Sequence, residues 1–83
     1  MKVQVRYFAS LREALGAAEV VEVVEGSTLR DLRDLLCQRS PQHAAVLARG
    51  RAVRCALDQR LCHEDVPVAA GAEVAFFPPV TGG

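Results

Sequence analysis

Hydrophobic and polar residues alternate near both ends of this chain, and leucines follow a helical spacing in its middle. The alternation over residues 2–7, with Val3, Val5 and Tyr7 on one side, predicts a strand that buries one face. Phe8 then falls on the polar side of this strand. Similar patterns predict further extended segments at residues 20–24, 53–57, 61–62 and 73–77.

An amphipathic helix is predicted where leucines recur at helical spacing, at Leu29, Leu32, Leu35 and Leu36. Thr28 and Asp31 are typical of a capped helix N-terminus, and Pro41 stops the helix after about Arg39. Two shorter helical segments are predicted, at residues 10–15 and 41–49.

The predicted order is strand, strand, long helix and then strands again. This order favours an α+β domain with one main helix across one face of a mixed sheet, which is the β-grasp or ubiquitin-like fold. We expect a single domain over residues 1–83, with a globular body over 1–79 and an extended tail over 80–83.

Two adjacent aromatic residues, Phe76 and Phe77, lie in the last predicted strand. Neighbouring strand residues project to opposite faces, and one helix covers only one face, so one of the two rings is left for a partner. Phe8 and Leu61 lie in otherwise polar surroundings and are candidates for the same docking surface. The alternative is that loops cover these side chains and form a minor core.

The composition limits what the chain does alone. Its 83 residues, 51% of them apolar, suffice for one core but leave little room for an enclosed cleft, so we expect no enzyme activity without a partner. Ten basic residues balance ten acidic ones, which argues against nucleic-acid binding. Neither a signal-peptide h-region nor a membrane span of about 18 apolar residues is present, so we expect no membrane association and a cytoplasmic location.

The three cysteines, Cys37, Cys55 and Cys62, are odd in number and lack C-x-x-C spacing. This pattern predicts reduced thiols and argues against a disulfide framework or a zinc site. Cys62 and His63 could join His43 in a partial metal site, but adjacent strand residues point apart, so no metal is expected. Cys37 lies among leucines and is predicted to be a core residue, and no neighbouring base marks any cysteine as a sulfur-relay nucleophile.

The C-terminal segment has an unusual composition, Phe76-Phe77-Pro78-Pro79-Val80-Thr81-Gly82-Gly83. Two prolines restrict the backbone, and glycines without a Cβ can lie in a channel too narrow for other residues. Four residues beyond Pro79 reach at most about 14 Å. We therefore expect a tail that presents the Gly83 carboxylate inside another protein's active site, with a frayed end as the alternative.

The same ending, together with V-R-Y-F-A at residues 5–9, L-R-E at 11–13 and D-Q-R-L at 58–61, resembles the MoaD-type family. Members of this family are the small sulfur-carrier subunits of molybdopterin synthase. The similarity spans the whole chain, and the F-F-P-P-V-x-G-G ending is its most specific part. A Gly-Gly ending alone would indicate only the wider group, which includes the thiamine-pathway carrier ThiS and ubiquitin-like modifiers.

The resemblance implies a role for the C-terminal glycines. In the family, an E1-like (MoeB-type) enzyme uses ATP and magnesium to adenylate the carboxylate, which corresponds to Gly83 here. A sulfur donor, such as a cysteine desulfurase or a rhodanese, then converts the adenylate into a thiocarboxylate. Gly82 matches the second residue of the threaded tail. No cofactor is implied on the carrier itself.

The resemblance also implies a large-subunit partner of the MoaE type, whose residues bind cyclic pyranopterin monophosphate and build the dithiolene of molybdopterin. Positions associated with docking and tail insertion correspond to Phe8, Leu61, Phe77, Pro78, Pro79, Val80 and Thr81. Asp58 stands where asparagine is common, and the cysteines are not family features. A protein modifier and a carrier for thiamine or another sulfur-containing metabolite remain alternatives.

Overall fold

The computed structural model describes residues 1–79. Within these residues five strands and three helices follow one another in this order: β1 (Lys2–Tyr7), α1 (Ser10–Leu15), β2 (Ala18–Glu22), α2 (Leu29–Cys37), α3 (Pro41–Leu47), β3 (Arg54–Leu57), β4 (Arg60–Cys62) and β5 (Glu73–Phe77). The strands form one mixed sheet in the order β2-β1-β5-β3-β4. The pairing of β1 with β5 is parallel, and the other three pairings are antiparallel.

One face of the sheet carries the core. The alternation predicted for β1 is confirmed, because Val3, Val5 and Tyr7 are each no more than 1% exposed. Val74 and Phe76 of the neighbouring β5 are fully buried on the same face. The helices cover this face, and the opposite face of the sheet stays open, as expected for an α+β domain of this kind.

Helix α2 begins with the capping box predicted from its sequence. The Thr28 hydroxyl accepts a hydrogen bond from the Asp31 amide at 3.2 Å, and the Asp31 carboxylate accepts one from the Thr28 amide at 3.0 Å. The buried stripe differs from the predicted one, because Leu35 is 39% exposed. Its place is taken by Arg33, which lies one turn after Leu29 on the buried side.

Several element boundaries differ from the predictions by one or two residues. Strand β2 begins at Ala18 and ends at Glu22, two residues earlier than expected, because its register is set by pairing with β1, where Ala18 lies opposite Arg6. Helix α2 ends at Cys37, short of Arg39. Cys37 is half-buried at the margin of the core and not inside it.

The two shorter helices were also predicted and are present as α1 and α3. Gly16 ends α1 at a φ of 92°, where its amide donates to the Arg12 carbonyl at 2.9 Å; this backbone conformation favours glycine. Ser40 caps α3 by accepting from the His43 amide at 3.1 Å. Within residues 1–79 no helix is long and apolar enough to cross a membrane.

Arg33 is the one charged side chain buried in the described part of the chain. Its guanidinium donates to the carbonyls of Leu47, Ala48 and Arg51 at 2.6–2.8 Å and pairs with Glu64 at 2.8 Å. It therefore satisfies the Leu47 carbonyl, which the end of α3 leaves without a helical partner, and it ties α2 to the segment leading into β3.

Candidate functional site

The open face of the sheet contains a groove with a volume of about 380 Å³. Its floor follows from the strand register, because Ala75 of β5 lies opposite Ala56 of β3, and both side chains are short. Phe8, Leu61 and Phe77 line its sides. Small residues on central strands, flanked by large apolar ones, therefore create a concave apolar surface.

We call the side chains of Phe8, Leu61 and Phe77 the apolar rim. Leu61 is 72% exposed and Phe8 is 39% exposed, while Phe77 is half-buried. The adjacent Phe76 is fully buried in the core, which answers the question raised by the aromatic pair: Phe77 is the ring left on the open face. The structure therefore brings together the three residues that the sequence singled out for docking.

Backbone geometry places Phe8 at the edge of the groove. Its amide donates to the Phe76 carbonyl at 3.2 Å, and the following residue, Ala9, has a φ of 54°. A positive φ is strained for alanine, so the contacts on either side must hold this bend between β1 and α1. The Arg6 guanidinium lies 5.5 Å from the centre of the Phe8 ring in a cation–π contact, which steadies the ring from the groove side.

The turn between β3 and β4 presents Leu61. Asp58 and Gln59 have φ angles of 49° and 70°, which define a tight two-residue hairpin. The Asp58 carboxylate accepts from the Glu73 amide at 3.0 Å, and the Asp58 amide donates to the Glu73 carbonyl at 2.8 Å. The hairpin is therefore anchored to the start of β5, and the aspartate has a structural role there.

Charged residues also line the groove, and the sequence interpretation did not single them out. The Arg6 Nη1 atom lies 3.9 Å from the Glu73 Oε1 atom, and Gln59 also lines the groove. The sequence pattern could have indicated Glu73, because Glu73 and Ala75 precede Phe77 by four and two residues, and strand alternation places all three on one face. The assignment of Arg6 to the same face follows from its register opposite Ala75.

Strand β5 ends at Phe77 and is followed by Pro78 and Pro79, both half-buried. The segment that the sequence predicts to be a threaded tail, residues 80–83, lies outside the described residues. The predicted roles of Gly82 and Gly83, and of Val80 and Thr81 in binding, stay predictions. Phe77 of the apolar rim is nevertheless only three residues before Val80 in the sequence, so a partner that covers the rim lies close to the described end of the chain.

A polar cluster lies on the other side of the sheet, around Glu19. The Tyr7 hydroxyl donates to its carboxylate at 2.7 Å, and the His43 Nε2 atom lies 2.7 Å from the same oxygen. Arg39 approaches the other oxygen at 3.4 Å. Burial raises the pKa of Glu19, but the hydrogen bonds from His43 and Tyr7, with the nearby Arg39 charge, outweigh it and leave the pKa below its usual range. The cluster joins β2 to α3.

Two of the three thiols, those of Cys37 and Cys55, show no sign of catalytic activation. Burial raises the pKa of Cys37, and burial followed by the adjacent Cys62 raises the pKa of Cys55 to about 12. Both groups are neutral at pH 7, and neutral thiols are poor nucleophiles. Among residues 1–79 no three histidine, cysteine or acidic side chains gather in a way that could hold a metal ion.

Comparison with known proteins shows which family the sequence of this chain matches. The model of the ThiS family matches residues 5–83. The chain belongs to the ThiS family. The molybdopterin synthase sulfur carrier subunit of Escherichia coli (strain K12) is 37% identical over 81 residues, which cover 98% of this chain and 99% of the relative. The resemblance seen in the sequence is confirmed.

Solved structures extend the comparison of this ThiS-family chain. The small archaeal modifier protein 1 of H. volcanii superposes with a TM-score of 0.80 at 26% identity, over 95% of this chain and 98% of that one. A complex of subunits 1 and 2 of the molybdopterin-converting factor from Helicobacter pylori 26695 contains a chain with a TM-score of 0.69 at 26% identity, covering all of both chains. The β-grasp, ubiquitin-like fold predicted from the sequence is confirmed.

Proposed function

We propose that this chain is the sulfur-carrier small subunit of molybdopterin synthase. One observation carries the proposal: Phe77 of the apolar rim is the last residue of β5, so in the sequence the rim lies only two prolines before the glycine-ended tail. The full-length similarity to a sulfur carrier subunit supports it. On its own the chain is a non-catalytic donor, and the pocket in which sulfur is transferred belongs to its partner.

The reactive atom of the proposal is the carboxyl carbon of Gly83. A carboxylate is ionised at pH 7 and is a poor electrophile, so it must first be activated. An E1-like enzyme forms the acyl-adenylate with ATP and magnesium, and a sulfur donor, such as a cysteine desulfurase or a rhodanese, replaces the adenylate with sulfur. The chain itself binds no cofactor in this scheme. The thiocarboxylate then donates sulfur to cyclic pyranopterin monophosphate in the large subunit.

The groove supplies the docking part of this mechanism. Phe8, Leu61 and Phe77 offer apolar side chains that a partner can cover, and rings at the centre of an interface commonly carry much of its binding energy. Arg6 and Glu73 place one positive and one negative charge beside them, which favours a partner of complementary charge in a single orientation. The related complex of two converting-factor subunits from H. pylori supports a large-subunit partner.

The tail supplies the second part. Beyond Pro79 the chain reaches at most about 14 Å, which is enough to cross a pocket wall while the rim stays docked. Gly82 and Gly83 have no Cβ and fit a channel that excludes larger residues. The proposed division of labour is therefore binding by the rim and chemistry by the terminus, and we place both in the cytoplasm.

The decisive experiment is an intact-mass measurement after incubation with ATP, magnesium, sulfide and an E1-like enzyme from the same organism. We expect a mass gain equal to one sulfur replacing one oxygen, mapped to the C-terminal peptide. A variant that lacks Gly83 should fold normally and show no gain, because terminal residues outside the sheet contribute little to stability. An equal gain in the deletion variant would overturn the carrier mechanism, as would no gain in the full chain beside an active control carrier.

A second candidate function is protein modification, which the likeness to small archaeal modifier protein 1 favours. In that case Gly83 would form isopeptide bonds with lysines of target proteins. An immunoblot of a cell lysate would then show higher-mass conjugates that disappear when Gly83 is deleted. A carrier for the thiamine pathway is the remaining alternative, and complementation of thiamine and molybdenum-cofactor auxotrophs separates it from the main proposal.

A further inference from the structure

Two of the three cysteines lie directly opposite each other in the sheet. In the antiparallel pairing of β3 with β4, Cys55 is the register partner of Cys62, so their side chains share one face. Directly opposed residues have Cα atoms about 4.5–5.5 Å apart, and disulfides span Cα separations of about 4.4–6.8 Å. The Cys55 thiol already donates to the Cys62 carbonyl at 3.3 Å, which places its sulfur against the partner residue.

The two thiols differ in access. Cys55 is 4% exposed, whereas Cys62 is half-buried on a three-residue strand at the edge of the sheet. Burial and the neighbouring Cys62 raise the pKa of Cys55, so Cys62 is the thiol that meets an oxidant first. A short edge strand opens locally at small cost, and such opening gives Cys55 the solvent it needs to lose its proton.

We propose that Cys55 and Cys62 form a reversible intramolecular disulfide with a low-molecular-weight disulfide, such as oxidised glutathione, as the oxidant. The Cys62 thiolate attacks one sulfur of that disulfide, and the broken S–S bond releases one glutathione thiolate. The Cys55 thiolate then attacks the Cys62 sulfur of the mixed disulfide and releases the second. Two protein thiols are oxidised, one glutathione disulfide is reduced, and the two thiol protons balance the departing thiolates.

The bond would staple the edge strand β4 to β3 around the Asp58–Gln59 turn. Leu61 lies between the turn and Cys62 and faces the groove, so the staple holds the strand that presents part of the apolar rim. A cross-link that closes a loop of this length stabilises the fold mainly by restricting the unfolded chain. This modification is independent of the proposed sulfur-carrier role and would operate whatever the partner is.

The test titrates the full chain with glutathione buffers of increasing oxidised fraction, followed by alkylation, intact mass and non-reducing peptide mapping. We expect the loss of two hydrogen atoms, a link between the peptides containing Cys55 and Cys62, and one alkylated thiol at Cys37. Dithiothreitol should reverse the change. The thermal midpoint of the oxidised form should rise by on the order of 10 °C.

Two variants complete the test. Cys37→Ser keeps both members of the pair and should oxidise like the original chain. Cys62→Ser removes the more accessible thiol from a half-buried position and should give no internal cross-link. The proposal is overturned if all three thiols stay free in oxidising buffer, if glutathione stays attached to Cys62 without displacement, if the cross-link contains Cys37, or if oxidation leaves the thermal midpoint unchanged.

Discussion

The replacement Arg33→Ala tests how the buried arginine holds the fold together. The guanidinium makes four hydrogen bonds inside the protein, three of them to backbone carbonyls and one to the Glu64 carboxylate. Alanine removes every one of these donors; the Ala48 carbonyl keeps a hydrogen bond from the Arg51 amide at 2.8 Å, but the Leu47 and Arg51 carbonyls and the Glu64 carboxylate lose the arginine as a partner. Since Arg33 is only 4% exposed, water does not reach the vacated site without a rearrangement of α3 and the segment after it.

The magnitude follows from the groups left without partners. Breaking a buried charged pair by removing one member costs about 3–5 kcal/mol. The Glu64 side chain is 25% exposed and regains some hydration, so we expect a value at the lower end, about 3 kcal/mol. A chain of 83 residues has a total unfolding free energy of about 4–12 kcal/mol, so the variant loses a large part of its stability.

The assay is urea unfolding followed by far-UV circular dichroism, with the free energy of unfolding extrapolated to water. Arg30→Ala is the matched control, because Arg30 is an exposed arginine of the same helix, and its replacement should change stability by less than about 0.5 kcal/mol. Arg33→Lys should fall between the two, since an ammonium keeps the charge but not the planar fork. A loss below about 1 kcal/mol for Arg33→Ala, with an unchanged m-value, would refute this account of the buried arginine.

Three further predictions concern other parts of the molecule. Glu19 has a lowered pKa, so its contribution to stability is present above the unfolded-chain pKa of about 4.3 and is lost as the pH falls through the folded-state pKa. Glu19→Gln should therefore flatten the acid side of a plot of thermal midpoint against pH, and an unchanged acid side would contradict this. Gln59→Gly relieves a φ of 70° and should raise stability by about 0.5–1 kcal/mol in urea unfolding, whereas a loss would show that the turn is unstrained. Phe77→Ala should weaken large-subunit binding by about 2 kcal/mol or more in calorimetry, while the exposed Val24→Ala, outside the groove lining, should not; equal affinities would move the interface elsewhere.

Local patterns were sufficient for the order and type of the elements. Alternation in β1 and β5 and the Thr28–Asp31 capping box depend on residues close in sequence, and the structure has them as predicted. The leucine spacing correctly predicted a helix at α2, although Arg33 is buried there in place of Leu35. The ends of the strands were predicted less accurately, because pairing with a neighbouring strand decides where a strand begins and ends. Strand β2 was displaced by two residues, since its extent follows from its register with β1 and not from its own run of valines.

The sequence likewise predicted the candidate site only in part. The sequence indicated Phe8, Leu61 and Phe77 as unusual apolar residues, and the specific ending pointed to sulfur-carrier chemistry. These three side chains meet around Ala56 and Ala75 because the strand order places β1, β5, β3 and β4 side by side. No local pattern contains that order, because the pairing joins segments far apart in the chain.

The sequence by itself determined the α+β class, the amphipathic α2 and the ending that defines the family, because each of these is written in neighbouring residues. Only the tertiary structure decided that Phe77 and not Phe76 faces outward, that Arg33 takes a buried position expected for leucine, and that Cys55 lies opposite Cys62. These outcomes depend on which face the helices cover and on which carbonyls remain for a guanidinium. Both are properties of packing between distant segments.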